Sequence, residues 1–163
     1  MRITDFLREK RVAFEYLPHP LAFTAHQLAK YLRVPGAQVA KCVLLRGPSG
    51  YVVAILPANF QVDVERLRTV LHGPVRVAVD REMAALFRDC EWGVVPPFGG
   101  LYGLPTLLEQ SVAADAFLIM ETHTHVEAIR LRCQDFERLE RPRRLAFARR
   151  DDKPDRPRLR DVS

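Results

Sequence analysis

The sequence predicts an α+β fold, a single compact domain on a mixed sheet, and three observations carry that expectation. Helix-like and strand-like patterns intermix without the regular alternation that a doubly wound parallel sheet requires. Two apolar runs, 39–46 and 51–56, flank Gly47-Pro48-Ser49-Gly50 and read as a central hairpin buried on both faces. A chain of 163 residues can bury roughly 70% of its unfolded surface, enough for one core without staples.

Each element has a local reason. Residues 3–11 suit a short amphipathic helix with Ile3, Phe6 and Leu7 apolar and Thr4 or Asp5 as cap. Residues 12–17 alternate, which puts Val12, Phe14 and Tyr16 on one strand face until Pro18 and Pro20 break it. Thr24 with Gln27 three residues later marks a helix start, Phe23 is spaced to staple onto Leu28, and Pro35-Gly36 stops the helix at about Arg33. Beyond the hairpin, Asp63 caps a helix bearing Val64, Leu67 and Leu71, and Val75, Val77 and Val79 alternate as a strand. Asp80 is the expected cap of a helix bearing Met83, Ala84 and Phe87. Residues 106–110 fit a short turn or strand, 116–120 a buried strand, 126–133 a strand with Ile129, Leu131 and Cys133 facing one way, and 135–139 a closing helical segment.

Charge is unevenly spread. From Arg141 onward there are nine basic and four acidic residues, the whole formal excess of five, while residues 1–140 hold sixteen of each sign. The expected organisation is a neutral domain over 1–140 and a basic, disordered tail over 141–163. No long apolar run occurs near the start, so the expected compartment is cytoplasmic. Cys42, Cys90 and Cys133 are scattered and odd in number, which favours free thiols over a zinc site or disulfides.

The chemistry-bearing features are few. Residues 89–105 crowd four Gly, three Pro and the only Trp into a shaped loop, which either holds an oxygen with backbone amides or serves as a rigid connection. Lys41 interrupts the apolar run 39–45, so its amine either snorkels to a rim or sits partly desolvated as a partner for an anion. His123 and His125 share parity with Ile129 and Leu131. They read as hydrogen-bonded structural histidines rather than metal ligands, because no third ligand has a plausible spacing. His19, between two prolines, either lines a pocket or completes a turn. No nucleophile elbow, Walker loop or dinucleotide fingerprint is present.

Together, His19-Pro20 ahead of Thr24, Ala40-Lys41-Cys42-Val43-Leu44, the Gly93-Val94-Val95-Pro96-Pro97 loop with Phe98-Gly99 after it, and the closing 129–139 segment resemble the YbaK family. That family is the editing domain inserted in or associated with bacterial prolyl-tRNA synthetases. The resemblance spans roughly residues 12–140 and implies a curved, barrel-like mixed sheet surrounded by helices. It also implies hydrolysis, in trans, of the ester joining a wrong amino acid to tRNA, with no cofactor and no metal. The partners it implies are mischarged tRNA and an aminoacyl-tRNA synthetase. On this reading Lys41, Gly93 and Pro97 are catalytic, through backbone oxyanion stabilisation plus the lysine and without a covalent intermediate. His19, Thr24, Phe98, Gly99 and His125 bind substrate. The competing reading keeps the pocket but makes the domain a non-catalytic binding module for an aminoacyl group or small ligand. A third makes it a DNA-associated factor driven by the tail.

Overall fold

The structure is a computed structural model, and it describes residues 1–151. Five helices, α1 (Ile3–Glu9), α2 (Ala25–Leu32), α3 (Val64–Leu71), α4 (Asp80–Leu86) and α5 (Cys133–Glu140), are interspersed with ten strands among the described residues. These are β1 (Glu15–Pro18), β2 (Ala40–Gly47), β3 (Gly50–Pro57), β4 (Phe60–Val62), β5 (Arg76–Val77), β6 (Thr106–Glu109), β7 (Phe117–Glu121), β8 (Glu127–Arg132), β9 (Arg143–Leu145) and β10 (Ala148–Arg150). No described helix is long and apolar enough to cross a membrane.

The predicted hairpin is the spine. β2 and β3 pair antiparallel from Ala40↔Pro57 to Gly47↔Gly50, and the sheet runs β5-β2-β3-β6-β9, with β3–β6 and β6–β9 parallel. Period-two alternation lets β3 feed two cores at once. Val53 and Ile55 join the main cluster with Phe87, Phe98 and Phe136, while Val52, Ala54 and Leu56 join a second with Leu67 and Phe147. A second sheet, β1-β8-β7, packs against α2 through a third cluster that includes Leu28, Val39, Ile119 and Ala128. One parallel bridge, Val39↔Ile119, links the two sheets, and β10 pairs separately with β4. The domain is α+β as expected, but its described strands do not close into a barrel.

Thr24 accepts from the Gln27 amide and Asp63 from the Arg66 amide, which satisfies the orphan donors that open α2 and α3. Three local expectations are corrected. Val12 is not in a strand: Arg11 is left-handed (φ 55°), its amide donates to Arg8 O and the Val12 amide to Leu7 O. This is the Schellman closure of α1, and it tucks Val12 into the core while leaving Tyr16 exposed on β1. Asp80 is the first residue of α4, not its cap; the side chain of Glu82 turns back to accept from the Val79 amide (2.8 Å). The strand at 75–79 keeps only Arg76 and Val77, and Val79 is exposed.

The boundary at residue 140 is also corrected. β9 extends the main sheet beside β6, and β10 covers β4. Between them Phe147 is fully buried, its amide held by buried Glu109 (2.8 Å) and its carbonyl by the Asp63 amide (2.7 Å). Five of the nine basic residues counted as tail lie in this folded segment, against one acidic residue, Asp151. The rest of that predicted tail, 152–163, lies outside the described residues.

Candidate functional site

A cavity of about 110 Å³ opens where four elements meet: the amino end of α2 (Phe23, Thr24, Ala25, Leu28), the start of β2 (Val39 to Cys42), the Gly/Pro loop (Gly93, Val95) and the end of β7 (Glu121). Lys41 is half-buried here. It shares β2 parity with Val43 and Leu45, which face the second core, but it sits at the strand's start, on the cavity wall. The amino end of α2 brings partial positive charge to the same wall.

The loop is held by short-range bonds and by residues far away in sequence. The Val94 amide closes a turn onto Glu91 O (3.1 Å), with Gly93 at φ 85°, the position that type II geometry reserves for glycine. The Glu91 amide donates to His123 O (2.8 Å), and His125 Nε2 lies 2.8 Å from Trp92 O. A carbonyl can only accept, so Nε2 carries the His125 proton. The amides of Gly93 and Val95 donate to no acceptor among the described residues. Pro96 and Pro97 have no amide to offer.

A sequence profile described as the aminoacyl-tRNA editing domain matches residues 19–139. The chain belongs to the aminoacyl-tRNA editing domain family. Solved structures share the fold of this editing domain. The hypothetical protein APE2540 superposes with a TM-score of 0.82 at 12% identity, covering 91% of this chain and 100% of that one. A candidate trans-editing enzyme for prolyl-tRNA synthetase superposes with a TM-score of 0.74 at 19% identity, covering 91% and 95%. A candidate signal transduction protein from Marinobacter aquaeolei superposes with a TM-score of 0.69 at 18% identity, covering 89% of this chain but 30% of its own. No curated protein sequence gives a significant match.

Within this editing domain, Lys41, Thr24 and Gly93 come together on the cavity wall. The other predicted site residues stand elsewhere. Phe98 is fully buried, edge-on to Phe6 and Phe136 (5.5 and 5.1 Å between centroids), so its placement in a substrate pocket is corrected to the main core. Gly99 is packed under β6, where a Cβ would lie 2.6 Å from Thr106 Oγ1, and it serves chain packing rather than substrate contact. Pro97 is buried beside them. His19 is buried and does not line the cavity; its amide pairs with Val126 O (2.9 Å) and its Nδ1 lies 2.8 Å from Pro20 O, while its Nε2 is buried without a partner among the described residues. His125 supports the wall from outside: its ring lies 5.1 Å from that of Phe23, and a Cβ on Gly93 would lie 3.8 Å from its Nε2.

Sequence reasoning passed over Glu121 and Cys42. Burial and then the charge of Glu91 push the Glu121 carboxyl up to about 8, and burial followed by the Glu121 charge raises the Cys42 thiol. The available signal for Glu121 was a carboxylate closing an apolar strand one residue beyond the run 116–120. His123 lies with Asp89 and Cys90 in a separate cluster whose ligand atoms are all within 4.8 Å. Its Nε2 accepts from the Ile3 amide (3.0 Å), so the neutral ring keeps its proton on Nδ1, the nitrogen facing Asp89 and Cys90. In that tautomer the three groups can hydrogen-bond to one another, with Cys90 Sγ 3.5 Å from His123 Nδ1 and its thiol pushed up to about 12 by burial.

Proposed function

We propose that this editing domain hydrolyses, in trans, the ester linking a wrong amino acid to the 3′ end of tRNA. The observation that carries the reading is that Lys41 and Gly93, 52 positions apart in sequence, line one cavity in a chain of the editing family. The ester is an activated acyl group, so water positioned on the carbonyl is the only nucleophile required. As the tetrahedral oxyanion forms, the amides of Gly93 and Val95 donate to it and the Lys41 ammonium offsets its charge or that of the adjoining phosphate. Cys42 and Cys90, both held as thiols, are poor nucleophiles, in keeping with direct attack by water. Pro96 and Pro97 stiffen the loop, and His125 holds it from behind. The partners on this reading are mischarged tRNA and, through the editing role, a synthetase; the setting is the cytoplasm.

A deacylation screen over mischarged tRNAs tests this. Lys41→Ala is expected to lower kcat/KM by about 100- to 1000-fold, as loss of one oxyanion donor does elsewhere. Deacylation by that variant at the wild-type rate would refute the lysine's role. The second reading, a binding module, is favoured by the occurrence of the same fold as 30% of a larger candidate signalling protein. It predicts saturable binding of a non-hydrolysable aminoacyl-adenosine with no amino acid released from any tRNA.

A further inference from the structure

We propose that Glu121 is the recognition group for the α-ammonium of the aminoacyl substrate. The inference rests on the editing reading for the identity of that ligand, but its own ground is the charge pattern of the cavity. Glu121 ends β7 and forms part of the cavity lining, with Lys41 and the amino end of α2 contributing the positive side. Its side chain is 24% exposed, yet Oε1 is shut off from solvent with no hydrogen-bond partner. The groups that face it closely do not supply a fixed cation. The Cys42 thiol is neutral, Glu91 adds a second negative charge, and His125 Nδ1 stands 3.9 Å from Oε2, also buried and without a partner.

His125 explains why the gap persists. Nε2 donates to Trp92 O, so in its neutral form the ring turns a lone pair, not a donor, towards Glu121, and Nδ1 stays beyond hydrogen-bond distance at 3.9 Å. A carboxyl so placed is costly to ionise in the empty protein, and a ligand ammonium would meet it on the partly exposed side that lines the cavity, not at the enclosed Oε1. An aminoacyl ester offers a carbonyl or phosphate to the Lys41 and Gly93 side and an ammonium a few bonds away. The cavity thus matches both charges of one end of the substrate. Since burial and Glu91 hold the free carboxyl near 8, Glu121 is mostly protonated at neutral pH. Docking of an ammonium favours the carboxylate, so its proton passes to solvent, and binding should release protons below about pH 8.

The test pairs non-hydrolysable adenosine conjugates, alanyl, seryl and cysteinyl amides, each with its α-hydroxy counterpart, and measures binding by calorimetry in buffers of different ionisation enthalpy. The wild type is expected to favour each amine over its hydroxy partner by about 10- to 100-fold, the range of a charge-assisted hydrogen bond, with proton release at pH 7. Glu121→Gln should abolish both the preference and the proton release while leaving the hydroxy series unchanged; Glu121→Asp should retain part of each. Equal binding within every pair, no binding of any conjugate, or an unaltered preference in Glu121→Gln overturns the proposal. Amine-selective binding without deacylation of tRNA would sink the editing reading and leave this one standing.

Discussion

At Gly99 a hydrogen stands where any side chain would need room. A Cβ would approach Thr106 Oγ1 to 2.6 Å and Leu104 O to 3.1 Å, and the second contact is backbone that has no rotamer to yield. Gly99→Ala is therefore expected to cost about 1–3 kcal/mol, read from the urea midpoint, through overpacking rather than through any lost contact with substrate. A wild-type midpoint in that variant would show that the loop yields. Gly93 matters for the opposite reason: it has space, since a Cβ there would come no closer than 3.8 Å to His125, but its φ of 85° is one that L-residues rarely adopt. The same residue type in the same loop thus serves packing at one position and backbone direction, beside the cavity, at the other.

Among the elements, the helix ends carry a correctable strain. α2 and α3 both terminate on a non-glycine residue in the left-handed region, Arg33 at φ 55° and His72 at φ 57°. A side chain there costs about 1–2 kcal/mol relative to a right-handed conformation, partly offset by the greater unfolded-state freedom of glycine. Arg33→Gly and His72→Gly are each expected to raise stability by about 0.5–1 kcal/mol in denaturant unfolding; a loss would mean that the long side chain contributes more than the strain removes. The amino ends are already well served. Thr24 and Asp63 make the predicted cap bonds, although Phe23, spaced for a staple, leaves its ring half exposed and against His125.

For the molecule as a whole, the deciding feature is that the chain does not finish its core at Glu140. β9 and β10 protect the edges of β6 and β4, and Phe147 fills the second cluster. A chain ended at Glu140 leaves those edges unpaired and a void of phenylalanine size, so it should lose at least the roughly 3–5 kcal/mol typical of removing a buried Phe and be prone to association. A chain ended at Asp151 keeps both strands and Phe147 and should unfold at a higher urea midpoint than one ended at Glu140; equal midpoints for both truncations would overturn this account.

The sequence by itself determined whatever is settled within a few residues: the caps at Thr24 and Asp63, the Gly47–Gly50 hairpin, the two-sided burial of β3, the inward set Ile129, Leu131 and Cys133, and a lysine placed where an apolar strand should have none. Those features follow from hydrogen-bond reach along the chain and from period-two alternation. The tertiary structure alone decided that Glu121 joins Lys41 and Gly93, which the family resemblance had already put in one site, that Phe98 belongs to the core, that His125 clasps the Trp92 carbonyl, and that an arginine-rich ending becomes two strands. Each depends on which distant surfaces pack together, and the burial energy that decides this is a property of the assembled layers, not of any local run of residues.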